Sequence, residues 1–176
     1  MIITIPGLIL VPLFLLTVFF VVRNKKWTSY TTSQKITVIS FIFYCFSVVY
    51  LTFFPFQIAT GDYKNLTPWT SRINLDPVVD ISALPNLIML SPLTVYYYLM
   101  KKDSSLVKAI GLGFGVSFSI EFLQFLSNYF LGGWRGADIA DIVVNTLGAA
   151  FGYLVVKALF KKQEPSSFYQ SFKLYA

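Results

Sequence analysis

Seven polar residues in or beside apolar segments are the ones able to do chemistry: Asn86, Glu121, Gln124, Arg135, Asp138, Asp141 and Asn145. A charged side chain at the centre of a membrane helix costs about 2.5–3.5 kcal/mol on insertion scales, so such residues point to function. Their spacing predicts that they converge. Glu121 and Gln124 share a helix face, which Asn128 continues one turn later. Asp138, Asp141, Asn145, Gly148 and Gly152 follow in steps of three and four, a single seam that is acidic and amide in its first half and glycine in its second. With about 1.5 Å of rise per residue, Glu121 and Asn145 both lie about 10 Å from the nearer end of their helices. If those helices are antiparallel neighbours, the two residues face each other, with Gln124 and Asp141 nearer the surface. Arg135, in the turn Gly132-Gly133-Trp134-Arg135-Gly136, is placed to cap or pair the acids, and Asn86 joins from a third helix.

Three carboxylates against one arginine leave an excess of negative charge. That excess calls for a cation, a basic group on a ligand, or a proton kept on a buried carboxyl. Glu121, Asp138 and Asp141 are also the ligand type that Mg²⁺ takes when a substrate phosphate completes its shell, with Arg135 meeting the phosphate. Mg²⁺ is the one cofactor the residues suggest, and nothing in the sequence requires it. A purely structural account is available too: interhelical hydrogen bonds fix helix registry, and acids near a helix N-terminus are favoured by its dipole. Gly148 and Gly152 are expected to serve close helix packing. There is no histidine, and the single cysteine, Cys45, sits in an apolar run. Ser–His, Cys–His and histidine–zinc chemistry and an internal disulfide are therefore excluded.

The elements that must position these residues are membrane spans. Of the 176 residues 56% are hydrophobic and only 12% charged, too little charge to clothe a soluble domain. Five apolar runs are expected to cross a bilayer: Ile2–Val22, Ile36–Phe56, Leu84–Met100, Leu106–Ser127 and Ile139–Phe160. The third is short, and a re-entrant segment is its alternative. Charges follow the first run rather than precede it, which predicts a retained helix and not a cleaved signal peptide. Eleven basic residues (Arg23, Lys25, Lys26, Lys35, Lys101, Lys102, Lys108, Lys157, Lys161, Lys162 and Lys173) fall on one side of this arrangement, against Lys64, Arg72 and Arg135 on the other. Basic residues are retained in the cytoplasm. The expected fold is thus an all-α polytopic bundle, N-terminus outside and C-terminus cytoplasmic, with residues 1–162 as the transmembrane domain and 163–176 as a cytoplasmic tail that lies on the inner leaflet or hangs loose. The longest connection, 57–83, is expected to fold over the outer surface on its aromatic and apolar residues. Although the net charge is +6, the basic residues flank apolar runs and form no patch, which excludes nucleic acid as a partner.

Three ordered motifs carry a family resemblance. Leu84-Pro85-Asn86 opens an apolar stretch that reaches Pro92; Glu121-Phe122-Leu123-Gln124 follows; then come Asp138, Asp141, Asn145, Gly148 and Gly152 in the pattern Asp-x-x-Asp-x-x-x-Asn-x-x-Gly-x-x-x-Gly. With Asn74-Leu75-Asp76-Pro77 ahead of them, these motifs resemble the VanZ-like family of bacterial membrane proteins over about residues 71–156. The pattern departs at Thr94, where the family often has glycine. The resemblance implies a multi-pass protein of the bacterial cytoplasmic membrane, acting at the cell envelope in resistance to teicoplanin-type lipoglycopeptides. Its partners would be membrane lipids and a lipid-linked cell-wall precursor or the lipidated antibiotic, and the seven polar residues would bind them. No catalytic residues carry over. The alternatives are an enzyme acting on a lipid-linked phosphate or sugar through a carboxylate-bound metal, and a subunit of a transport complex.

Overall fold

A computed structural model describes residues 1–61, 70, 73–76, 84–162 and 167–175. Most of the expected outer connection lies outside the described residues, so its folding over the surface is not tested. The chain is mainly helical, and three helices are long and apolar enough to cross a membrane: Thr32–Phe53 (α3), Leu106–Leu131 (α6) and Ile139–Phe160, the apolar part of α7, which runs to Lys162. The expected first and third spans differ from this. In the first run Ile2–Ile5 is a strand (β1), Gly7–Ile9 a 3₁₀ turn and Leu10–Arg23 a helix (α1), followed by the short α2, Lys25–Ser29. Ile2, Ile3, Thr4 and Ile5 are all β-branched, which favours a strand, and Pro6 cannot continue its ladder. The third run splits into α4 (Leu84–Met89) and α5 (Ser91–Met100) at Leu90. Pro92 lacks the N–H that would reach the Ile88 carbonyl and its ring crowds that group, so the helix breaks one turn before it. Tyr44 of α3 donates its hydroxyl to the neighbouring Met89 carbonyl at 2.9 Å.

The bundle is all-α apart from two two-stranded sheets. β1 pairs antiparallel with β2 (Phe56–Ala59), Ile2 opposite Ala59, and β3 (Ile73–Asn74) pairs in parallel with β4 (Ala137–Asp138). Both sheets lie at the end of the bundle where α3 and α6 finish and α7 begins. Local signals set the helix limits. A capping box of Thr31 and Gln34 starts α3, Ser105 caps α6, and α6 ends on Gly132 in the left-handed conformation (φ 65°), which leaves the Gly132 and Gly133 N–H groups on the last turn's carbonyls.

Helix α7 is the centre of the fold. Its Gly148 and Gly152 lie against the backbone of Leu87 and Ser91, and a Cβ on either would collide with that backbone. The close approach lets two hydroxyls bridge the helices: Ser91 Oγ to the Gly148 carbonyl at 3.0 Å and Thr94 Oγ1 to the Ala149 carbonyl at 2.6 Å. Gly113 of α6 packs on Ala149 in the same way. Lipid supplies no hydrophobic drive between helices, so close backbone contact and interhelical hydrogen bonds hold the bundle together.

At the opposite end the C-terminal segment does not hang free. The short α8 (Ser167–Gln170) leads to residues that dock on α3 and α5. The carbonyls of Phe172 and Lys173 accept from Thr37 and Gln34 of α3 at 3.0 and 2.8 Å, and the Leu174 N–H reaches the Leu99 carbonyl at 3.0 Å.

Candidate functional site

The polar residues gather at the strand end, between α4, α6 and the start of α7. Asp138 begins α7 as its cap: one carboxylate oxygen accepts the Ala140 N–H at 2.8 Å, the geometry that satisfies an orphan donor of the first turn. Its other oxygen accepts from the Asn74 amide at 3.0 Å, and Asn74 Oδ1 in turn accepts the Asp76 N–H at 3.0 Å. Glu121, almost fully buried on α6, accepts the Asp138 N–H at 2.9 Å. The Glu-x-x-Gln helix is in this way tied to the Asp-x-x-Asp turn. The Asp141 carboxylate is hydrogen-bonded by Asn86 of α4. One turn deeper Asn145, 1% exposed, donates to Ser117 Oγ at 3.0 Å, and its own Oδ1 has no partner among the described residues. Ser117 Oγ lies 3.5 Å from the Asp141 carbonyl.

Five of the seven expected residues (Asn86, Glu121, Asp138, Asp141 and Asn145) thus come together. Two do not join as expected. Gln124 turns to α3 and donates to the Thr52 carbonyl at 2.9 Å. Arg135 makes no ion pair within 4.0 Å among the described residues. Its guanidinium stacks 4.8 Å from the Trp134 ring, and Asn128 fixes the turn by donating to the Gly133 and Arg135 carbonyls at 2.8 and 3.3 Å. The buried Arg135 Nε has no acceptor and borders a space of about 10 Å³ shared with Gln124 and Thr52, no larger than a water. Trp134 anchors the same turn to the link between α3 and β2 through the Pro55 carbonyl at 3.2 Å. Among the described residues no three acidic, histidine or cysteine side chains are grouped to hold a metal. Among the described residues the hydrogen-bond partners of the three carboxylates are all neutral donors.

A cleft of about 300 Å³ opens beside Glu121 and Asp138. Asn74 lines it too, and its other walls are apolar, among them Leu75, Phe118, Phe122, Ile139 and Ile142. A polar recess therefore sits at the rim of a greasy groove at one end of long apolar helices. That arrangement suits a molecule with a polar head and an apolar chain. The order Glu-x-x-Gln, Asp-x-x-Asp-x-x-x-Asn and Gly-x-x-x-Gly around this recess agrees with a wider comparison, in which the model of the VanZ/LLP1 family matches residues 41–161, more than half of the chain. The chain belongs to the VanZ/LLP1 family. No curated protein and no solved structure matches it. The family match begins in α3 and leaves out β1 and α1, as the sequence motifs do.

Sequence reasoning missed Ser117, Thr94 and Ser91. Ser117 lies four residues before Glu121, on the same face, and that spacing was the available signal. Thr94, where the family often has glycine, is fully buried and holds α5 to α7.

Proposed function

We propose that this VanZ/LLP1-family chain is a cell-envelope membrane protein that binds a lipid-linked or lipidated ligand in the recess at its strand end, and thereby contributes to resistance against teicoplanin-type lipoglycopeptides. In this reading the chain crosses the bacterial cytoplasmic membrane five times, α4 and α5 together making the short third crossing. The N-terminus and the strand end face outward and the C-terminal segment is cytoplasmic. Two features support the orientation. Arg23, Lys25, Lys26, Lys101, Lys102 and Lys108 all cluster at the end opposite the recess, where the positive-inside rule expects them. The break at Leu90 still leaves α5 running on from α4 toward that end. The observation that carries the binding reading is the juxtaposition of a buried and two half-buried carboxylates, without a cationic partner among the described residues, with an apolar cleft at the rim of the bundle.

The test is susceptibility. The chain would be expressed in a teicoplanin-sensitive Gram-positive host, and Glu121→Gln and Asp141→Asn compared at equal membrane abundance. Loss of protection in both, with abundance unchanged, is the expected result. Full protection by both variants would reduce the acids to scaffolding and end the proposal.

A further inference from the structure

The chemistry of the cleft says which kind of amphiphile it takes. Along the exposed face of α6, Phe114, Phe118, Phe122, Phe125 and Tyr129 form a continuous series of ring contacts with centroids 6.0–6.5 Å apart, and Phe114, Phe118 and Phe122 are about half exposed. Fifteen residues of helix separate the first ring from the last, a rise of about 22 Å, which is most of the roughly 30 Å hydrocarbon thickness of a bilayer. Phe118 and Phe122 also wall the cleft, so the aromatic track runs from the cleft into the apolar depth. At the cleft the charge is one-sided. Glu121 and Asp138 line it, Asp141 stands behind them, and each is met by neutral N–H donors. Among the described residues the nearby cation is Arg135, which lies over Trp134 and borders the separate 10 Å³ space beside Gln124. Deeper in, the unpartnered Oδ1 of the 1% exposed Asn145 adds one more acceptor in need of a donor.

We infer that the cleft takes an amphiphile with a cationic, hydrogen-donating head group, such as a primary ammonium, whose long apolar chain lies along the Phe118–Phe122 track. A phosphate head would meet carboxylates at the rim and lose its hydration without a cation to replace it. An ammonium brings three donors to carboxylates that have none charged, and its chain covers rings that otherwise face lipid. This identification rests on the proposed role of the recess as a binding site and names the class of head group that it selects.

The experiment uses the full chain in nanodiscs of zwitterionic lipid, with dodecylamine, dodecyl phosphate and dodecanol as probes of equal chain length. Bound probe is counted by native mass spectrometry, and the melting temperature without probe reports folding of each variant. Dodecylamine is expected to bind at least about tenfold tighter than dodecyl phosphate. Glu121→Gln and Asp138→Asn, which keep the acceptor for the local N–H, should each remove that preference. Phe118→Ala with Phe122→Ala should weaken all three probes while leaving their ranking. If one acid variant fails to fold, the other decides. Dodecyl phosphate binding as tightly as dodecylamine, in a manner sensitive to Glu121→Gln, would overturn the cationic class and leave the recess as a binding site. Probe binding indifferent to the acid and phenylalanine variants alike would be partition into the bilayer, and would sink both readings.

Discussion

Replacing Gly148 with alanine separates two roles that glycine can have in a membrane helix. The added Cβ would collide with the backbone carbonyl of Leu87, which cannot rotate aside as a side chain could. Helix α4 must back away from α7, and overpacking of this kind costs about 1–3 kcal/mol. The retreat also stretches the 3.0 Å bond from Ser91 to the Gly148 carbonyl and the 2.6 Å bond from Thr94 to the Ala149 carbonyl. Interhelical bonds in membranes average about 0.6 kcal/mol, so losing both adds about 1 kcal/mol. Alanine returns at most about 1 kcal/mol through helix propensity. The net loss is about 1–3 kcal/mol. Gly111 and Gly115 of α6 provide the control, since a Cβ on either meets nothing within 4 Å. Alanine there should be neutral or stabilising by up to about 1 kcal/mol. Equilibrium unfolding in mixed detergent micelles, followed by circular dichroism, measures all three variants under one condition. A Gly148→Ala protein as stable as the parent, or a Gly111→Ala protein equally damaged, would refute the assignment of α7's glycine face to the α4–α5 contact.

Two further outcomes follow from the same packing. Thr94→Val keeps the shape of a fully buried side chain and deletes its bond to Ala149, so stability should fall by about 0.6–1.7 kcal/mol in the same unfolding assay, without loss of helix content. Lys173→Ala removes an ammonium that stands 5.1–5.5 Å from the ring centres of Phe160, Tyr98 and Tyr175; with about 0.5–2 kcal/mol of cation–π attraction gone, the segment from Ser171 to Tyr175 should exchange its amide hydrogens severalfold faster while α6 and α7 are unaffected.

The long helices were legible because nothing interrupts their apolar runs, although the limits that Thr31, Ser105 and Gly132 set fall up to four residues from the expected ones. Two shorter runs misled for identifiable reasons. Apolar content alone cannot tell a β-branched strand from a helix start, so Ile2–Ile5 was absorbed into the first span. Pro92 was visible, yet the place of the break, Leu90, also depends on contacts from elsewhere in the bundle, and Tyr44 comes from a distant helix to bond the Met89 carbonyl beside it. In the candidate site, steps of three and four correctly brought Glu121, Asp138, Asp141 and Asn145 together. Gln124 escaped because three residues advance a helix by about 300°, which leaves it about 60° from Glu121 and able to face α3 instead. Arg135 escaped for a different reason: it lies in a turn, where no periodicity fixes its direction, and an indole ring competed with the acids for its guanidinium.

The division of α7 into a polar half and a glycine half has a mechanical consequence. Each half alone would be weak in lipid, because a polar cluster without close packing can rearrange and a close contact without polar bonds can slide. Here Gly148 and Gly152 set the distance to α4 and α5, and that distance lets Ser91 and Thr94 bond across. The same α4 carries Asn86 to Asp141, two turns nearer the strand end. Position of the glycine contact therefore fixes position of the acid contact, and the recess inherits its geometry from packing about 10 Å away. Glu121 completes the arrangement from α6 by accepting the Asp138 N–H, so that three helices and the capping turn converge on the carboxylates. Carboxylates held this way cannot splay apart to find lipid headgroups or water individually. They sit together at one rim of the bundle, next to the apolar cleft.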